Sequence, residues 1–218
     1  MGHWEKGLYD GDPQLDTLDE LTETLDITEK PALVAGIVGL LARIAPVTLA
    51  VRLDEEEGGR DWSELLLNPP ESAALSEAAR STLKLIAESP EEILEQRPGA
   101  RSPQHAKILG DYCDGPHFKE LLEAPGADTV IASFAETVMT RLDAMPLDED
   151  LYFHCGELAP LGFLLELDVR VAEERINEWS RRFEILNAST DQQRDFWDEF
   201  SSNVHGALDL LRARRISS

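Results

Sequence analysis

Cysteine is nearly absent from this chain: Cys113 and Cys155 are the only two in 218 residues. Two cysteines cannot frame a disulfide-rich fold, and a chain of this length can bury a full core without one. Long apolar runs are also missing. The most apolar stretch, 32–51, is interrupted by Arg43 and Pro46. It reads as two buried helices, since a membrane span needs about twenty predominantly apolar residues. The opening Gly2-His3-Trp4 followed by acids has none of the character of a signal peptide, so the expected location is cytoplasmic. Basic residues are scarce, with 20 Lys and Arg against 43 Asp and Glu, for a net charge of −23. Such a surface repels nucleic-acid phosphates and anionic membranes and favours cationic partners, although the same excess also serves plain solubility. Catalytic fingerprints are lacking as well: there is no phosphate-binding loop, dinucleotide-binding glycine pattern or Gly-x-Ser-x-Gly elbow.

The acidity is distributed evenly. Residues 1–110 carry 21 acids and 10 bases, and residues 111–218 carry 22 and 10. No acidic tail hangs from a neutral body, so the charge belongs to folded surface. An apolar content of 42% leaves enough material for a core beneath it.

Helical periodicity organises most of the chain. Leu15, Leu18, Leu21 and Leu25 recur at helical spacing, with Asp16, Asp19, Glu20 and Glu23 on the opposite side. Thr28 and Pro31 are placed to cap and open a helix running to about Ile44, and Pro46 opens another that ends in Asp54-Glu55-Glu56-Glu57 before Gly58-Gly59. Leu75, Ala79, Leu83 and Ile86 mark a further helix. Phe134, Val138 and Leu142 mark another, and Leu151–Leu158 one more, with Pro160 kinking or splitting the chain beyond it. Two clear stripes close the chain: Ala172, Ile176, Trp179, Phe183 and Leu186, then, after a turn at Asn187–Asp191, Phe196, Phe200, Val204, Leu208 and Leu211. Val47–Leu53 and Thr129–Ile131 are rich in β-branched residues without alternating. The expected fold is therefore all-α, a compact bundle of eight to ten helices in one domain, with a sub-bundle boundary near 97–103 as the alternative.

Three constellations bear on function. Cys113, His117, His154 and Cys155 offer four N/S ligands of the kind tetrahedral zinc takes, although neighbours on a helix point about 100° apart. Buried cysteines and ordinary histidines are the simpler reading, metal is the alternative, and no cofactor is expected. Asp10, Asp12, Asp16 and Asp19 fail as a calcium loop, because Leu15 and Leu21 occupy the sixth and twelfth positions, where that loop needs Gly and Glu. The acidic runs Asp54, Glu55, Glu56, Glu57 and Asp148, Glu149, Asp150, together with Trp197 among Asp195, Asp198 and Glu199, are the expected contacts for a basic partner. Trp62, Trp179, Phe183, Phe196 and Phe200 read as core.

The N-terminal segment Gly2-x-Trp4-x-x-Gly7-x-Tyr9-Asp10-x-Asp12, followed by Leu15-Asp16, resembles the opening of an uncharacterised bacterial family. Its members begin Gly-x-Trp-Gly, an aromatic, Asn-Asp and an Ala-x-Asp-Trp helix. Here Glu5 replaces the second Gly, Gly11 replaces Asn and Thr17 replaces Trp. The resemblance spans about twenty residues. It implies a small bacterial protein, some of whose relatives look like immunity proteins or toxin neighbours. The leading expectation is a non-enzymatic acidic protein that neutralises a toxin by occlusion. A metal-binding enzyme or metal-stabilised domain, and a structural or oligomeric interaction protein, are the alternatives.

Overall fold

The computed structural model describes residues 8, 12–54, 58–70, 74–90, 108, 118–147, 151–189 and 194–214, with backbone alone at 12–15, 58–59, 151–154, 189 and 194–197. The chain is all-α. Ten helices longer than one turn are present among these residues, with a single-turn helix and a 3-10 turn between them, and no strand. They are α1 (Asp12–Thr22), α2 (Val34–Ile44), α3 (Pro46–Asp54), α4 (Gly58–Leu67), α5 (Glu77–Glu88), the one-turn α6 (Lys119–Leu122), α7 (Ala127–Asp143), α8 (Leu151–Leu158), α9 (Pro160–Glu166), α10 (Glu173–Ser189) and α11 (Arg194–Ala213). Both β-branched stretches are helical, 47–53 within α3 and 129–131 within α7. The chain divides into two compact units: one of residues 1–21, 100–112 and 135–218, the other of residues 22–99 and 113–134. The 97–103 linker lies outside the described residues.

In the second unit α2 is the central element. Every residue from Val34 to Ile44 is buried, as expected of a helix that is apolar all round but for Arg43. It packs against α3, α5 and α6. Two glycines three residues apart permit close approaches, Gly39 to α6 and Gly36 to the first residue of α7. A Cβ on Gly36 would lie 2.8 Å from the Ala127 Cα, and one on Gly39 would lie 2.8 Å from the Leu121 Cβ. Thr28 does not cap α2. Its amide and hydroxyl both donate to the Asp26 carboxylate at 2.8 Å, and Pro31–Leu33 form a 3-10 turn before α2 begins. Asp26 wins because a carboxylate two residues back closes a local Asx turn.

Next along the chain, α3 and α4 pack on each other. Arg52 on α3 donates to the Leu25 carbonyl at 3.0 Å and holds its guanidinium 5.4 Å from the centre of the Trp62 ring on α4. Trp62 and Leu66, one turn apart, are buried on α4. The helix already includes Gly58-Gly59, the pair before which the sequence pattern ends the preceding helix. The α5 stripe is buried as expected at Leu75, Ala79, Leu83 and Ile86. Ser76 caps α5 by accepting the Ala79 amide at 3.1 Å, a contact worth about 1 kcal/mol.

In the first unit the fully buried helix is α9: Pro160–Glu166 is enclosed along its length. It packs against α11, while α8 packs against α9 and α10, and α10 against α11. Ile176, Trp179, Phe183, Leu186, Phe200, Val204, Leu208 and Leu211 supply the α10–α11 core. Ala172, just before α10, is exposed, and α10 continues through Ser189 where a turn is expected from Asn187. The expected loop anchors Trp4 and Tyr9 lie outside the described residues. Leu8 is fully buried, and its amide donates to the Ile108 carbonyl at 2.9 Å.

Candidate functional site

Charge is handled differently in the two units. In the first, the arginines of α7 and α10 are occupied by carboxylates. Arg141 holds Glu157 through two nitrogens at 2.8 Å and Glu20 at 2.7 Å. Arg175 bridges Glu136 at 2.8 Å and Asp143 at 3.1 Å, and Asp143 also accepts the Trp179 indole N–H at 2.7 Å. Glu178 receives Arg181 at 2.6 Å and Arg182 at 3.0 Å, while Arg182 also donates to the Met145 carbonyl at 2.8 Å. Hydrogen bonds from Arg181, then Arg182, bring the Glu178 carboxyl down from an ordinary 4.5 to about 2. The Arg175 hydrogen bond likewise lowers Glu136. Arg141 is held above its ordinary value, foremost by its bond to Glu157. Arg141 ties α7 to α8 and α1, Arg175 ties α10 to α7, and Glu178 pairs within α10, so these groups satisfy one another and serve packing more than capture of a ligand.

The second unit presents a different surface on α3 and α4. Among the described residues six large apolar side chains are exposed, and four of them (Val47, Val51, Leu67 and Leu85) fall on the consecutive helices α3, α4 and α5. Val47 and Val51 lie one turn apart on α3, 46% and 53% exposed. Asp54 continues their row three residues on and is exposed. On α4, Asp61, Glu64 and Leu67 follow one another at spacings of three, all exposed. Neither Asp54, Asp61 nor Glu64 enters an ion pair with another described residue. Arg60 is the exposed base nearby on α4. Asp54 is the last described residue of α3. By contrast, Leu85 on α5 sits beside the Lys84–Glu88 ion pair at 3.6 Å, a locally neutral setting.

Of the sequence-derived contact residues, Asp54 is among these exposed side chains. Glu55, Glu56, Glu57, Asp148, Glu149 and Asp150 lie outside the described residues, as do Cys113, His117 and the side chains of His154 and Trp197. Cys155 is buried. Among the described residues no group of three His, Cys, Asp or Glu is placed to hold a metal ion, and no helix is long and apolar enough to cross a membrane. The apolar members Val47, Val51 and Leu67 and the acids Asp61 and Glu64 are missing from the sequence-derived set. Their only signal is the spacing of three and four along two short helices. No protein-family model matches the chain, and no curated protein or solved structure matches it.

Proposed function

We propose that this chain is a non-enzymatic acidic binding protein whose α3–α4 face engages a basic protein partner. The observation that carries the reading is the coincidence on two neighbouring helices of exposed apolar side chains, Val47, Val51 and Leu67, with exposed carboxylates, Asp54, Asp61 and Glu64. Exposed apolar surface rimmed by polar groups marks interaction sites. The apolar members provide contact area that water would otherwise cover. The carboxylates accelerate encounter with a cation and bias its orientation. A net charge of −23 extends the attraction beyond the contact itself.

In its narrower form, supported by the N-terminal resemblance, the partner is a bacterial toxin whose active site the chain covers. Occlusion requires tight, slow-release contact with no chemistry, in keeping with a surface that offers anchors and charge.

The test is charge reversal. Asp54→Lys, Asp61→Lys and Glu64→Lys combined should weaken binding to a lysine–leucine peptide by about tenfold or more, as expected when charged contacts change sign. A control reversing Asp16, Glu174 and Asp198, three exposed acids of the other unit, should change it much less. Equal losses for both sets would reduce the effect to net charge and remove α3–α4 from the account.

A further inference from the structure

Resting on that reading, we infer that the partner offers a cationic amphipathic α-helix, which lies along α3 with its apolar side on Val47 and Val51 and a basic residue over Asp54. The outward face of α3 has a definite order. Pro46, Leu49 and Leu53 are buried, Thr48 and Ala50 are half-buried, and Val47, Val51 and Asp54 are exposed. The exposed residues form a ridge, since positions four and three apart stand one above another on a helix. With a rise of about 1.5 Å per residue, the two valines are about 6 Å apart and Asp54 lies about 10 Å from Val47 along the axis. A partner helix matches that ridge with apolar residues one turn apart and a Lys or Arg about a turn beyond them.

The surface also selects a helix over an extended segment. A strand docks by adding to a sheet edge and drawing on its main-chain groups. All of α3 is helical, so its backbone offers no such edge, whereas a helix satisfies its own main chain and needs only side-chain contacts. Charge narrows the occupant further. A second copy brings another −23 to the contact, and an anionic bilayer repels the same carboxylates. Arg52, two residues before Asp54, is turned inward to the Leu25 carbonyl and the Trp62 ring. The end of the ridge therefore stays negative.

Two peptides of identical lysine and leucine composition separate this inference from the reading beneath it. One has helical periodicity, and the other is reordered to abolish it. Each is titrated by fluorescence anisotropy against the full chain. The periodic peptide should bind at least about tenfold more tightly, and Val47→Lys or Val51→Lys should each weaken it about tenfold, as loss of a central anchor does. Glu174→Lys should leave it unchanged. Val51→Thr, nearly isosteric at a position open to solvent, serves as the milder variant and should weaken binding less than Val51→Lys. Circular dichroism confirms that each variant is folded. Equal affinity for both peptides, still reduced by Asp54→Lys, overturns the helix and leaves the acidic face standing. Binding of neither peptide overturns both. A concentration-dependent dimer lost in Val51→Lys assigns the ridge to a second copy and also overturns the inference.

Discussion

Replacing Gly36 with Ala sets two opposed effects against each other at a known distance. In a helix interior Ala is better than Gly by about 1 kcal/mol, so propensity alone makes Gly36→Ala stabilising. Packing says the reverse. The new Cβ would stand 2.8 Å from the Cα of Ala127, a backbone atom in the first turn of α7 that no rotamer change removes. Forcing a methyl into a filled core costs about 1–3 kcal/mol. At so short a distance to backbone the cost lies at the upper end of that range, and the expected net loss is about 1–2 kcal/mol. Gly206→Ala in α11 is the control. There the nearest atom is the terminal Cδ1 of Ile108 at 3.0 Å, the swinging end of a flexible side chain, so its change should lie close to zero or slightly on the stabilising side. Urea unfolding followed by far-ultraviolet circular dichroism reads both. With a slope of about 2 kcal/mol per molar, the Gly36→Ala midpoint should fall by about 0.5–1 M. A midpoint for Gly36→Ala equal to or above wild type would refute the close approach of α2 to the start of α7.

Two further predictions concern the first unit. Trp179→Ala should cost about 3–5 kcal/mol as a large buried side chain is lost, while Trp179→Phe should cost far less because it keeps most of the buried aromatic volume, Asp143 retaining Arg175 in either variant; thermal unfolding separates the two. The Glu178 carboxyl is depressed from 4.5 to about 2, so its contribution to stability is fully present above 4.5 and is lost as pH falls through about 2. The stability difference between wild type and Glu178→Gln should therefore persist at pH 6 and fade across that window, and a difference independent of pH would refute the arginine pairing.

The long stripes were legible because their periodicity and their burial coincide. The α5 face from Ala79 to Ile86, the α10 face from Ile176 to Leu186 and the α11 face from Phe200 to Leu211 are buried at the positions their spacing predicts, whereas Ala172, at the head of the α10 stripe, is exposed. The helicity of Gly58-Gly59 in α4 was not, because each glycine carries a helix penalty of about 1 kcal/mol, which burial of Trp62 and Leu66 offsets. Local chemistry also misled at Thr28, where the nearer Asp26 carboxylate outcompetes the helix end.

The candidate surface was half legible. Asp54 announced itself as the head of an acidic run. Val47 and Val51 read as the interior of a buried helix, since the sequence cannot distinguish α2, enclosed on every side, from α3, which buries only Pro46, Leu49 and Leu53. Which face a short apolar helix leaves to solvent depends on the neighbours that pack on it, and those are α2 and α4.

Hydrogen exchange in the presence and absence of the periodic lysine–leucine peptide tests the central claim most directly, because it locates the contact without altering the chain. Amides of α3 and α4, from Pro46 to Asp54 and from Gly58 to Leu67, should exchange more slowly when the peptide is bound, while α10 and α11 remain unchanged. Protection spread over the acids of both units, or confined to the first, would contradict an acidic–apolar docking face on α3 and α4.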